Sequence, residues 1–146
     1  MLEQKPLGPL LGYCAHLARE RMDARLAPYS VTPSQTHVLM YLGRHDGQAP
    51  QYALTRFLRV KPSTANGILD RMCEKDLVER SVSRTDARCR LVHLTDKGRE
   101  QLRCIEQQVR QAETVLVRGF TPEEEKTLRR LMERVARNME EDREIC

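Results

Sequence analysis

The chain has 146 residues, 40% hydrophobic and 32% charged, the length and composition of one globular domain. No apolar stretch approaches the roughly 20 residues a helix needs to cross a bilayer, and Met1-Leu2-Glu3-Gln4-Lys5-Pro6 lacks the cationic start and apolar run of a secretion signal. The expectation is a cytoplasmic protein without a membrane partner. Twenty-five Lys and Arg against 21 Asp and Glu give a net charge of +4, which permits a polyanionic partner without demanding one.

Leu7, Leu10, Leu11, Cys14, Leu17, Ala18, Met22 and Leu26 recur at helical spacing and predict one long first helix, broken by Pro28. Thr32-Pro33-Ser34-Gln35 then reads as a capping box, with Thr32 as N-cap, and opens a second helix carrying Val38, Leu39 and Leu42 inward. That helix stops at Arg44-His45-Asp46-Gly47. After Pro50, the positions of Ala53, Leu54, Phe57 and Leu58 predict two helical turns, and Arg59-Val60-Lys61 a tight turn. Pro62 opens a further helix with Ala65, Ile68, Leu69 and Met72 buried and Leu77 closing it. Two helices joined by so short a turn make a helix-turn-helix. From Val78 to Thr95 the period changes to alternation about a Ser-Arg-Thr-Asp-Ala centre, which predicts a two-stranded hairpin with a basic tip.

Thr95-Asp96 caps a long helix whose Leu102, Ile105, Val109, Ala112 and Leu116 suit a helix–helix seam. Thr121-Pro122-Glu123-Glu124 opens the final helix, with Leu128, Leu131, Met132, Val135 and Met139 in one stripe. Such terminal stripes are difficult to bury within one small chain, so the expectation is a homodimer, whose two-fold symmetry suits a palindromic DNA site. The fold class is mainly α with a small β-hairpin wing. A single domain over 1–146 is expected, with a winged helix-turn-helix at about 32–98 and dimerisation helices at about 7–27 and 96–142.

Charge placement says more than the total. Between Arg80 and Arg90 four arginines face one aspartate, a net +3 in eleven residues, whereas Thr121 to the end has six cations and eight acids, a net −2. Five cysteines without a CxxC pair and four histidines without zinc spacing indicate neither a disulfide framework nor a metal site. Aromatics are 4% with no Trp, so no row of stacking rings is available for single strands or a flat cofactor. A nucleophile–base set, a Gly-rich phosphate loop and a metal-binding HExxH are all missing, so neither an enzyme nor a cofactor is expected.

Pro62-Ser63-Thr64-Ala65-Asn66, Leu69-Asp70-Arg71-Met72, Leu77-Val78-Glu79-Arg80, Asp86-Ala87-Arg88 and Leu94-Thr95-Asp96-Lys97-Gly98 stand in one fixed spacing, preceded by Thr32-Pro33-Ser34-Gln35. This ensemble resembles the MarR-type winged-helix regulators of bacteria and archaea over roughly Thr32 to Gly98. The resemblance implies a sequence-specific double-stranded DNA-binding regulator, a repressor acting as a homodimer. Its DNA-contact candidates are Lys61, Ser63, Thr64, Asn66, Arg71, Arg84, Asp86, Arg88 and Arg90.

On that reading the helix from Pro62 enters the major groove. Asn66 is the candidate for adenine, because its amide donates and accepts together. Lys61, a poor N-cap, would be relieved by a phosphate at the helix start. Arg88 would enter the minor groove, held by Asp86 paired to a neighbouring arginine, while Arg84 and Arg90 touch phosphates. Three positions depart from the family pattern. Gly67 stands where many members carry a polar or basic residue, Arg59 where glycine is common, and Ala87 where a basic residue is frequent.

The resemblance also implies a switch, either a small phenolic or anionic effector or cysteine oxidation. Tyr13, His16, His37 and Tyr41 are the effector-pocket candidates, against ordinary packing or exposure. Cys89, between Arg88 and Arg90, is the redox candidate, against an incidental thiol. Cys14, Cys73 and Cys104 read as small helix residues and Cys146 as a chain end. The competing function is a winged-helix protein–protein interaction module without specific DNA binding.

Overall fold

The structure, a computed structural model, describes residues 6–143. Its elements are α1 (Leu7–Leu26), a single 3-10 turn (Ala27–Tyr29), α2 (Pro33–Arg44), β1 (Gln48–Pro50), α3 (Gln51–Leu58), α4 (Pro62–Glu74), β2 (Val78–Val82), β3 (Arg90–Leu94), α5 (Asp96–Leu116) and α6 (Pro122–Arg143). They fall into two compact units, one up to Arg110 and one from Gln111 onward.

Local sequence chemistry sets most boundaries of the first unit. Thr32 Oγ1 accepts the Gln35 N–H at 3.2 Å, and Gln35 Oε1 accepts the Thr32 N–H at 3.3 Å, so α2 opens on the reciprocal cap its sequence predicts. Thr95 caps α5 from one side only: its Oγ1 accepts the Gly98 N–H at 2.9 Å and donates to the Asp76 carbonyl at 2.6 Å. One boundary differs from expectation. α4 ends at Glu74, because Asp76 turns left-handed (φ 59°) and lets the Leu77 N–H reach back to the Met72 carbonyl at 2.9 Å. Leu77 is therefore not the last residue of the helix but a buried plug behind it.

The sheet is also larger than the two-stranded hairpin expected. β2 and β3 pair antiparallel from Val78↔Leu94 to Val82↔Arg90, and β1 joins the other side of β3 through Gln48↔His93, Ala49↔Val92 and Pro50↔Leu91, giving the order β1-β3-β2. β1 is only Gln48-Ala49-Pro50, too short for alternation to register in the sequence. Its pairing is imposed by the Asp46-Gly47 turn (φ 57° and 83°), where the Gly47 carbonyl takes the Leu94 N–H at 2.8 Å. Pro50 sits on an edge strand, the place where its missing donor costs least.

Val38, Leu39 and Leu42 of α2, Leu54 of α3, Leu69 and Met72 of α4, and Val92 of β3 are fully buried around one aliphatic core, which Leu77, Val78, Leu102 and Ile105 extend. Outside it, Lys75 Nζ donates to the Ser30 carbonyl at 2.6 Å and to Gln35 Oε1 at 3.0 Å, tying the end of α4 to the corner between α1 and α2.

In the second unit α6 starts on a full capping box, with Glu124 N–H to Thr121 Oγ1 at 3.2 Å and Thr121 N–H to Glu124 Oε2 at 2.9 Å. No residue of α6 is buried; Leu128, Leu131, Met132 and Met139 are 41–61% exposed. In the first unit α1 buries only Leu26 and leaves Leu7, Tyr13 and Leu17 exposed.

Two helical glycines give opposite expectations. A Cβ on Gly98 would run into the Leu77 backbone carbonyl, whereas one on Gly67 meets nothing within 4 Å. Helix propensity alone favours alanine at both sites by about 1 kcal/mol. Gly67→Ala is therefore expected to stabilise by that amount, and Gly98→Ala to destabilise by about 1–3 kcal/mol through overpacking. Urea titrations of the two variants measure both signs, and a stabilising Gly98→Ala would refute the close approach.

Candidate nucleic-acid interface

The start of α4 leaves donors and hydroxyls facing out. Lys61 is its N-cap residue and gives no side-chain cap, and Pro62 has no N–H to satisfy. Lys61, Ser63, Thr64 and Asn66 are exposed, while Ala65 between them is fully buried and anchors the turn. Farther along, Asp70 and Arg71 occupy the same outer surface, Arg71 two helical turns beyond Thr64. Gly67 lies among them with no side chain, so bare helix backbone sits at the centre of this surface.

Asn66 is not the free amide that the sequence reading supposes. Its Oδ1 accepts from Arg80 Nη1 at 2.7 Å and from Gln51 Nε2 at 3.3 Å. Both carbonyl lone pairs are thus occupied, and Asn66 has only its NH2 to offer outward. A bidentate adenine contact would require Arg80 and Gln51 to let go, so the structure presents Asn66 as a donor.

Arg80 is the centre of this arrangement. From β2 it reaches across to α4, pairing with Asp70 through Nη2 while Nη1 holds Asn66. Its side chain is only 17% exposed and that of Asp70 50%. Burial works against the Arg80 charge, but the hydrogen bond to Asp70, the fields of Cys73 and Asp70 and a hydrogen bond to Cys73 together outweigh it, and its pKa stands above the ordinary arginine value. Arg80 therefore does not belong to the free positive charge of the hairpin; its charge is spent on locking α4 to the wing.

The free charge is at the tip. Arg84, Arg88 and Arg90 are exposed and, among the described residues, form no ion pair. Asp86 shapes this tip in another way than expected. Instead of pairing with an arginine, its Oδ1 accepts the Arg88 N–H at 2.9 Å and its carbonyl accepts the Cys89 N–H at 3.0 Å, closing a turn that projects Arg88. The short carboxylate arm reaches a backbone donor two residues on more readily than a distant guanidinium. Ser83 completes the closure, with its N–H on the Cys89 carbonyl at 2.8 Å.

The four effector candidates do not converge. His37 lines a groove of about 510 Å³ between α1 and α2, with Arg19, Met22, Asp23 and Val31 around it. Thr36 also lines it, and its buried Oγ1 has no hydrogen-bond partner. Tyr41 instead stacks on His45 with ring centroids 4.0 Å apart and leans on Phe57 at 4.7 Å, while Tyr13 and His16 are exposed on α1 away from the groove lining. Helical periodicity places residues on a face but not beside a particular neighbour, and in the sequence Thr36 reads as an ordinary interior helix position. Cys89 is half-buried, its Sγ turned toward the Arg90 carbonyl at 3.8 Å. Cys14 is exposed, Cys73 and Cys104 are half-buried, and Cys146 lies outside the described residues. Among the described residues, no group of acids, His and Cys could hold a metal, and no helix is long and apolar enough to cross a membrane.

The sequence model of the MarR family matches residues 29–88, from the end of the 3-10 turn after α1 to Arg88 at the wing tip. A mutant MarR from E. coli, solved in complex with operator DNA, is 28% identical, with a TM-score of 0.75 over 89% of this chain and 93% of that one. Wild-type apo MarR from E. coli is 29% identical, with a TM-score of 0.75 over 91% and 98%. A mutant MepR from S. aureus, 23% identical, shares the fold with a TM-score of 0.80 over 92% and 99%. Over residues 29–88 the chain matches the MarR family of winged-helix transcriptional regulators, and its fold is that of solved MarR proteins.

Proposed function

We propose that this regulator binds double-stranded DNA as a homodimer, each subunit placing α4 in the major groove of one half-site and Arg88 in the flanking minor groove. The observation that carries the reading is the pairing of two exposed donor surfaces, the α4 start and the unpaired tip arginines, held in one relation by Arg80. Lys61 and the free N–H groups of α4 would take a phosphate, Ser63 and Thr64 base edges or phosphates, and Arg71, Arg84 and Arg90 the backbone on either side. Asn66, with its carbonyl occupied, would donate to a base acceptor such as a purine N7 or a carbonyl oxygen. The bare backbone at Gly67 allows the groove floor to approach α4 closely.

The exposed apolar stripe of α6 and the exposed apolar residues of α1 support homodimerisation, with half-sites about one helical turn apart. On this reading the whole chain, 1–146, acts as one regulatory domain. Repression follows if the operator overlaps a promoter. Relief would come from a small anionic or phenolic effector in the groove between α1 and α2, where Arg19 and His37 suit an anion and the Thr36 hydroxyl lacks a partner. The effector would act by changing the spacing of the two winged lobes. This groove supports ligand control more directly than Cys89, whose thiol faces a backbone carbonyl.

DNA binding is tested by competition between the duplex upstream of the protein's own coding sequence and a scrambled duplex. The expected result is a preference that weakens steeply with salt, a loss of about 1–3 kcal/mol for Arg88→Ala, and relaxed choice at one base position per half-site for Asn66→Ala. No preference over scrambled duplex would instead favour a protein-interaction module. Light scattering should give twice the chain mass, and Leu131→Glu should lower it toward the monomer; a monomeric native protein would end the homodimer reading. Titration with aromatic carboxylates and phenols should release the duplex, and Thr36→Val should shift the half-release concentration. An unshifted Thr36→Val response would remove this groove from the mechanism.

A further inference from the structure

The α3–α4 turn contains a cation in a conformation that its residue type disfavours. Among the described residues, four non-glycine residues have positive φ: Ser30, Asp46, Asp76 and Arg59. Three of them carry short polar side chains, two of them aspartate, a residue type enriched in this region, whereas Arg59 is a long cation. At φ 55° and ψ 42° it ends α3, with its N–H on the Arg56 carbonyl at 3.2 Å and the Val60 N–H on the Thr55 carbonyl at 3.5 Å. This is the helix-ending geometry in which glycine is the unstrained choice.

Arg59 faces solvent, as does Arg56 one turn earlier, and among the described residues neither forms an ion pair. Arg56 lies over the Tyr52 ring, 6.0 Å from its centroid, which braces the guanidinium without neutralising it. Both arginines border a groove of about 400 Å³ whose wall includes Tyr52, Val60 and Pro62. Gln51 lines the same groove, and its Oε1 has no partner. An apolar trough with two unpaired cations on its edge matches a sugar–phosphate strand, whose deoxyribose is apolar and whose phosphates are anionic. Pro62 is shared between this trough and the start of α4, so a strand lying along it would run directly into the proposed DNA surface.

Building on the DNA-binding reading above, we infer that Arg59, supported by Arg56, is a second phosphate clamp on the duplex, and that its strained backbone is retained for this contact. The contact is to the backbone, so it strengthens binding to any duplex and adds no sequence preference.

The experiment uses the full chain with Arg59→Gly, Arg59→Lys and, as a charge control on α5, Arg103→Ala. Affinity for the duplex upstream of the protein's own coding sequence and for its scrambled counterpart is measured across a salt series, beside thermal melts. Arg59→Gly should raise Tm, because the strain is relieved, yet weaken both duplexes by the same several-fold factor and reduce the salt slope by about one. Arg59→Lys should keep the slope, and Arg103→Ala should leave it unchanged. Native-like affinity and slope in Arg59→Gly would overturn the clamp while leaving specific DNA binding intact. Conversely, a wild-type protein with no preference between the duplexes would defeat the regulator reading, with the Arg59 slope on scrambled duplex still deciding the clamp. Failure of the wild-type protein to bind either duplex would overturn both.

Discussion

The link from Arg80 to Asp70 and Asn66 is the constraint on which the proposed interface depends. β2 and α4 are separated by a turn of three residues and would otherwise meet only through the aliphatic core. The guanidinium, mostly withdrawn from solvent, ties the outer surface of the helix to the base of the wing. An exposed ion pair contributes about 0–1 kcal/mol. This one also orients Asn66, whose Oδ1 takes a bond from Gln51 at the start of α3, so the polar link joins the outer surfaces of α3, α4 and the hairpin over the core they share. A DNA reader needs that fixed relation, because its helix and its wing must fit adjacent grooves at once.

Charge is divided between structure and surface. One of the four arginines between Arg80 and Arg90 is turned inward, and three remain to face a partner. Asp86 does not neutralise any of them; it takes backbone donors and so shapes the tip while leaving its cations unpaired. The last turn of α3 adds Arg56, and the turn before α4 adds Arg59, at the other end of α4 from Asp70. Arg56, Arg59, Arg84, Arg88 and Arg90 thus border the start of α4 and cap the wing, while the acid-rich α6 carries an exposed apolar stripe.

Much of this was legible from residue types at fixed spacing. Helix starts at Thr32, Thr95 and Thr121 follow from a hydroxyl and its N3 partner, a chemistry confined to four residues. The helix-turn-helix follows from two apolar periods and the short turn between them. What lay beyond reach required contacts between residues distant in sequence. β1 has no periodicity of its own and exists because β3 offers it an edge. Asn66 lost its carbonyl to Arg80, fourteen positions away, and Gln51, fifteen positions away. Tyr13, His16, His37 and Tyr41 lie on two helices but not on one groove, since helical periodicity fixes an angle about one axis and says nothing about how two axes cross.

The sequence by itself determined the order of the α-helices, the resemblance to MarR-type regulators and the basic wing, because capping, periodicity and charge are local and survive without knowledge of neighbours. Only the tertiary structure decided which of those polar groups are still available. A side chain's hydrogen-bonding capacity is finite: Arg80 and the carbonyl of Asn66 are consumed within the fold, while Arg59, Arg84, Arg88 and Arg90 remain to meet a partner.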